Sequence, residues 1–350
     1  MITENQEYLT ELVAWAERYQ DWDLLQDQTI MVAGATGMIG SSLIDWLMLL
    51  NEKRGLNCRI VALGRNAQKA RVRFGSYWEE AEFLFVEGDI NQGIAYDQPI
   101  DYLLQAASNT HPLAYSNFPI STITTNVIGT NNLLNYAAEH GAKRVIFLSS
   151  VEVYGENRGD TEKFKEDYLG YLDCNTLRAG YPESKRTGEA LCQAYLKEKG
   201  LDCVILRLAR SFGPTLLTSD SKALSQFLKK GIAHEDIVLK SKGKQQYSYI
   251  YSLDAVAAIF FALKHGQSGQ AYNVAGSSCD TTLRELAETV ARLAGRQVVF
   301  DLPDQAEAAG YSTATKALLD TRKLASLGFS ADTDLESALA ATMRILAALA

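Results

Sequence analysis

One stretch, "VAGATGMIG", constrains this chain more than any other. It sets Gly34, Gly37 and Gly40 three residues apart, between an apolar run that reads as a strand and an apolar run that reads as a helix. The first glycine permits a tight turn, the second lets a phosphate approach the backbone, and the third lets helix and strand pack closely. The first N–H groups of the helix then face a pyrophosphate. Gly34, Thr36, Gly37, Met38, Ile39 and Gly40 are therefore candidate dinucleotide contacts.

Glycine turns are common, so this one gains its weight from the strands and helices downstream. "CRIVALG", "AEFLFVEGDI", "YLLQAAS", "RVIFLSS" and "LDCVILRLA" read as further strands, apolar almost throughout, with helical stretches between them. Strands of that kind are covered on both faces and pair in parallel. The pattern predicts an α/β fold, a Rossmann-like doubly wound parallel sheet with a smaller C-terminal substrate-binding lobe. Residues 1–28 read as a helical extension, with an amphipathic helix over 5–19 that packs on the domain or on a partner chain. Residues 29–210 read as the dinucleotide-binding domain carrying the catalytic residues. Residues 211–350 read mainly as the substrate lobe, with some segments returning to the first domain. Over 237–266 the pattern gives a strand, a loop and a helix. A strand "AYNVAG" and helices near 282–294 and 333–349 complete the chain.

Composition narrows the function. Of 350 residues, 47% are apolar and 22% charged, as in a compact soluble chain, and the net charge of -8 comes with no long basic run, which excludes nucleic acid as partner. No apolar run is long enough to span a bilayer, and acids stand at the N-terminus where a signal peptide needs a basic start. The expectation is a cytoplasmic protein with no membrane partner. Five cysteines and four histidines are scattered, which predicts reduced thiols and no metal site.

At the adenosine end, the second strand closes as "VALGRN" without the acidic residue expected for the ribose of NAD. Arg65 stands where a 2'-phosphate would be met, which tilts toward NADP and leaves NAD open. Asp89, with Ile90 beside it, closes the third strand, placed either to accept from the adenine amino group or to cap a helix. Ala107, Ser108 and Asn109 come after the fourth strand, where the chain passes the cofactor.

"LRAGYPESKRTGEAL" places Tyr181 four residues before Lys185, on one face of a helix, with Pro182 in the first turn where a missing N–H costs nothing. A phenol with a pKa of about 10 is a poor base. An adjacent ammonium and a positively charged nicotinamide favour the phenolate and bring it toward the working range. A solvated pair is the ordinary outcome of this spacing; the glycine turn, and Ser150 at the end of the fifth strand, turn the reading toward an acid–base pair.

The order and spacing of "GATGMIG", "GDI", "AAS", "TNVIGTNNLLNYA", "FLSSVEVYG", "YPESK", "LRLARSFGP" and "YNVAG" together resemble the extended short-chain dehydrogenase/reductase superfamily. Within it the chain resembles the nucleotide-sugar epimerase/dehydratase family, with a layout closest to UDP-glucuronate decarboxylases. The resemblance implies that Tyr181 transfers the proton, that Lys185 partners it and holds the nicotinamide ribose, and that Ser150 aligns the substrate hydroxyl. It implies a site-organising role near the cofactor for Asn126 and substrate contacts for Asn109 and Arg178. It also implies NAD as cofactor, a nucleotide-sugar substrate and a homodimer built on helices spanning about 119–139 and 181–199.

Glu152 is shared with the dehydratases and decarboxylases, where it is a second acid or base, but Val151 replaces the aspartate that precedes it in dehydratases. Two positions depart from the decarboxylase pattern. Tyr247 stands where that family has a phosphate-gripping arginine, and Arg210 stands where it has an asparagine. Both are candidate substrate contacts, and together they imply a rearranged diphosphate or sugar contact. The leading expectation is an NAD(P)-dependent enzyme that oxidises a sugar ring hydroxyl to a keto intermediate, with net epimerisation ranked first. Decarboxylation, 4,6-dehydration and NADP-dependent keto-sugar reduction rank after it. A dinucleotide-sensing protein without turnover is the alternative outside the class, and intact Ser150, Tyr181 and Lys185 argue against it.

Overall fold

A computed structural model describes residues 2–19, 23–110, 116–301 and 315–349. The first half alternates as expected: α1 (Gln6–Arg18), β1 (Thr29–Ala33), α2 (Met38–Arg54), β2 (Arg59–Gly64), α3 (Ala67–Phe74), β3 (Phe83–Glu87) and β4 (Tyr102–Gln105). Then come α4 (Pro119–Thr124), a π-helical turn (Thr125–Gly129), α5 (Thr130–Glu139), β5 (Arg144–Ser150), α6 (Gly180–Lys199) and β6 (Cys203–Leu208).

The central sheet has seven strands in the order β10-β6-β5-β4-β1-β2-β3, with β10 being Ala271–Val274, and every pairing is parallel. From β1 the chain builds outward to β3, then crosses to β4 and builds outward the other way. The crevice between the ends of β1 and β4 is thus the topological switch point, where ligands bind in sheets of this kind. The period of two along each strand separates two cores. Ile30, Val32, Ile60, Ala62, Ile146 and Leu148 face one core, while Met31, Ala33, Val61, Leu63, Val145 and Phe147 face the other. Burial on both faces is why these strands read as unbroken apolar runs.

The second half adds β7 (Arg210–Phe212), α7 (Ala223–Ile232), β8 (Ile237–Leu239), β9 (Gln246–Tyr251) and α8 (Ser252–His265). After β10 come β11 (Asp280–Thr282), α9 (Leu283–Ala294), β12 (Val298–Phe300), β13 (Lys316–Ala317), α10 (Arg322–Ala325) and α11 (Leu335–Ala347). Apolar around almost its whole circumference, α8 is a core helix rather than a surface one. It lies beside α2, where Trp46 meets Phe260 edge to face at 5.3 Å. β9 is the hub of a second sheet, pairing with β7 and β13 in parallel and with β11 antiparallel. The sequence pattern predicts a loop there, and the structure corrects it. "QYSYIY" carries polar atoms at most positions, yet its tyrosines suit a pleated surface and five of its six residues are buried.

α1 packs on its own chain, one of the two outcomes the sequence allowed. Tyr8 donates to Asp45 on α2 at 2.7 Å, and the same carboxylate binds Arg73 and the Tyr77 hydroxyl. Burial first, and the Asp45 charge second, push the Tyr8 hydroxyl well above its ordinary value, so it stays a donor. Tyr251 donates to Glu11, and Arg344 pairs with Glu7 at 2.6 Å, which ties α1 to β9 and α11. Among the described residues no helix is long and apolar enough to cross a membrane.

Candidate active site

The turn after β1 is built around two positions that admit only glycine. Gly34 has φ +83°, and a Cβ there would lie 2.7 Å from Ala106 C and Ala107 N, just past β4. A Cβ on Gly40 would lie 2.5 Å from the Gly34 carbonyl oxygen. Both neighbours are backbone and cannot retreat. Gly37 precedes α2 without a side-chain cap, so the first N–H groups of the helix stay open beside Thr36, Met38 and Ile39. That cradle fits a pyrophosphate. Thr215, which no sequence signal marked, donates to Met38 O at 2.9 Å and shares a 2.8 Å hydrogen bond with Ser42, pinning the second half of the chain to the same turn.

Around the crevice, the remaining candidates fall into place unevenly. Arg65 lies exposed just past β2, and its neighbour Asn66 caps α3 by accepting from Lys69 N at 2.7 Å. Asp89 accepts from Asn91 N at 3.0 Å, which is the capping alternative, and Ile90 behind it is buried. Ala107 N is held by Gln105 Oε1 at 3.0 Å. Asn109 donates to Thr122 at 3.2 Å. Ser108 Oγ and Asn126 Oδ1 are buried with no hydrogen-bond partner among the described residues. Asn126 sits on the π turn, a distortion frequent at functional sites. Its Nδ2 donates to Ser184 Oγ at 2.9 Å, and Ser184 donates to Tyr181 O at 2.8 Å. Buried orphan oxygens of this kind normally have a partner, so the cradle, Ser108 and Asn126 together fit a nucleotide cofactor.

Ser150 closes β5 in an extended conformation and its Oγ accepts from Glu152 N at 3.2 Å, capping the short turn Val151–Tyr154. Tyr181 and Lys185 share the buried face of α6, 8% and 3% exposed. Lys185 Nζ donates to Leu148 O at 2.8 Å and lies 5.1 Å from the centre of the Phe147 ring, so the helix is tied to the strand that ends in Ser150. Burial pulls the Lys185 ammonium down from 10.5 to about 8, against the opposing pull of Glu189. Between those two pH values the unfolded chain holds a proton that the folded protein has released, so this group adds stability as pH rises. The unfolding free energy of wild type minus that of Lys185→Met should be flat below about pH 8 and climb toward pH 10.5; urea titrations across that range check it, and a falling difference overturns the assignment.

Beneath the pair lies a brace that sequence reading missed. Glu189, one turn after Lys185, accepts from Ser149 Oγ at 2.5 Å and from Arg207 Nε and Nη2 at 2.9 and 2.6 Å. Arg207 Nη1 donates on to the Tyr154 hydroxyl and to Glu166 O, both at 2.9 Å, and Tyr154 donates to Asn273 at 2.6 Å. The available signal was an arginine inside the otherwise apolar strand "VILRLA".

Glu152, Arg210 and Tyr247 also converge. β7 pairs with β9 so that Arg210 faces Tyr249, which makes Tyr247 its diagonal neighbour. The Arg210 guanidinium lies 3.6 Å from the centre of the Tyr247 ring, and its Nη2 is 3.6 Å from Glu152 Oε1. Arg178 is not drawn into this group; it is exposed on the turn Leu177–Ala179.

The sequence profile of the NAD dependent epimerase/dehydratase family matches residues 30–275. UDP-glucuronic acid decarboxylase 6 of Arabidopsis thaliana is 30% identical over 264 residues, 75% of this chain and 74% of that protein. The structure of UDP-glucuronic acid 4-epimerase from Bacillus cereus, in complex with UDP-glucuronic acid and NAD, superposes with a TM-score of 0.77 at 21% identity, covering 92% of this chain and 100% of that one. The dTDP-glucose 4,6-dehydratase of Bacillus anthracis, in complex with NAD, gives a TM-score of 0.74 at 20% identity, covering 91% and 96%.

Proposed function

The chain belongs to the NAD dependent epimerase/dehydratase family, and on that premise we propose that it oxidises a ring hydroxyl of a nucleotide-activated sugar to a keto group, with net epimerisation as the outcome. The observation that supports the reading is that Lys185, one helical turn after the buried Tyr181, donates to Leu148 O two residues before Ser150, which ties α6 to the carboxyl end of β5. Tyr181 takes the hydroxyl proton, Ser150 aligns that hydroxyl, and the Lys185 ammonium favours the phenolate and orients the nicotinamide ribose. The turn Gly34–Gly40 holds the pyrophosphate, with Arg65 and Asp89 toward the adenosine and Ser108 and Asn126 along the crevice. Bound there, NAD or NADP would supply the hydride acceptor for the ring carbon and the donor for its return to the keto sugar. NAD is preferred on the family, with Arg65 keeping NADP open.

Decarboxylation is the second reading, favoured by the similarity to a UDP-glucuronic acid decarboxylase and by Glu152 as an additional acid or base. It ranks second because Tyr247 replaces an arginine of the decarboxylase pattern. Incubating purified protein with UDP-, CDP-, GDP- and dTDP-sugars, with and without NAD or NADP, and identifying products by mass and NMR separates the two. An epimer keeps the substrate's mass. Loss of carbon dioxide or water, or consumption of stoichiometric cofactor, rejects epimerisation.

The same reading includes a homodimer. Phe118, Ile120, Ile128 and Leu177 are exposed around α4 and the start of α6, and a second copy laid across them would bury that apolar patch. Sedimentation at micromolar concentration reads the mass directly.

A further inference from the structure

Three arginines on and beside the central strands are treated in opposite ways. Arg207 spends its guanidinium on Glu189, Tyr154 and Glu166 O. Arg144 spends its own on Asp202 and on the carbonyls of Ala262 and Leu263. The Arg210 guanidinium makes no hydrogen bond to any described residue, and its Nη1 is buried. Glu152 at 3.6 Å balances the charge but lies beyond hydrogen-bond reach. Only 19% of the Arg210 side chain is exposed, and the unmet Nη1 donors carry a desolvation cost that no hydrogen bond among the described residues offsets.

The placement gives that cost a purpose. Tyr247 covers one face of the guanidinium, which fixes its plane and leaves its edge free. Arg210 lies just past the end of β6, and Glu152 just past the end of β5, on the rim where a parallel sheet holds its ligands. A planar fork with a fixed orientation and free donors suits the two oxygens of a carboxylate or phosphate. We propose that Arg210 is the receptor for an oxyanion of the substrate, with Tyr247 as its shelf. This rests on the nucleotide-sugar reading above. The oxyanion comes from one of two sources, the diphosphate linkage or a carboxylate on the sugar.

Calorimetric titration of NAD-loaded protein with UDP, UDP-glucose and UDP-glucuronate, and with GDP and dTDP counterparts, tests it on wild type, Arg210→Gln and Tyr247→Leu. A loss of about thirtyfold in affinity for every ligand in Arg210→Gln assigns the diphosphate. The same loss confined to the sugar acid assigns the carboxylate. Tyr247→Leu keeps the arginine but frees its plane, and should weaken the same ligands about fivefold. If wild type binds and Arg210→Gln matches it within twofold, the proposal is overturned and the nucleotide-sugar reading stands. If wild type binds none of them, both fall. Should Arg210→Gln fail to fold, unchanged affinity in Tyr247→Leu overturns the proposal by itself.

Discussion

Tyr181→Phe is expected to lower turnover about a thousandfold on whichever nucleotide sugar the protein accepts, while cofactor affinity stays within about twofold of wild type. The change removes one oxygen and leaves the ring, which is almost fully buried in the first turn of α6, so packing is retained. Lys185 keeps its bond to Leu148 O, and the glycine cradle lies on a different element, so the contacts proposed for the cofactor are left in place. The proton of the ring hydroxyl then has no acceptor of matched strength within the site. Ser150 is a poor substitute, because an ordinary hydroxyl gives up its own proton far less readily than a phenol does. Single-turnover reduction of bound cofactor, monitored by its absorbance, separates the first proton and hydride step from product release. A variant that keeps turnover within tenfold of wild type would remove Tyr181 from the proton path.

How far the sequence disclosed this site depends on the range of the interactions involved. The turn at Gly34 and Gly40 leaves a readable pattern because the Gly40 demand acts against Gly34 a few positions away, while that of Gly34 acts against the backbone just past β4, its neighbour in the sheet. Tyr181 and Lys185 are likewise fixed by one helical turn. Strand alternation, burial on two faces and the reversal of strand order all stem from apolar runs of the right length. In the sequence Arg210 and Tyr247 read as paired departures and Glu152 as a separate feature, with nothing to show that the three side chains converge. What joins Arg210 to Tyr247 is the parallel pairing of β7 with β9, and what adds Glu152 is the neighbouring end of β5, long-range arrangements that no local pattern encodes; β9 itself looks like loop because its tyrosines present hydroxyls as well as rings. Placed in register, the arginine absent at 247 and the arginine present at 210 become one feature, a guanidinium lying on a phenol face. Asp89 shows the opposite limit. Its position was readable, but capping and ligand contact ask for the same residue type, and one of its oxygens goes to Asn91 N.

The brace under α6 carries the second large expected effect. Glu189 and Arg207 are each only 13% exposed and meet through two short contacts, so each charge depends on the other. Burial by itself would weaken the guanidinium's hold on its proton, yet the Glu189 carboxylate more than offsets this and raises the Arg207 pKa above its ordinary value. Replacing the carboxylate strands a buried cation, and Glu189→Leu should cost about 3–5 kcal/mol of unfolding free energy. Removing both charges strands neither, so Glu189→Leu combined with Arg207→Leu should recover most of that loss, with the coupling read from a double-mutant cycle in urea. Additive losses would show that the pair is not a unit. The cycle also bears on chemistry. Glu189 holds Ser149, the neighbour of Ser150, and it opposes the burial that pulls the Lys185 ammonium down. Without it that ammonium should deprotonate below about pH 8, moving the rise in stability expected from Lys185 to lower pH. One carboxylate outside the substrate path therefore sets both the firmness of the helix and the pH range over which its lysine stays charged.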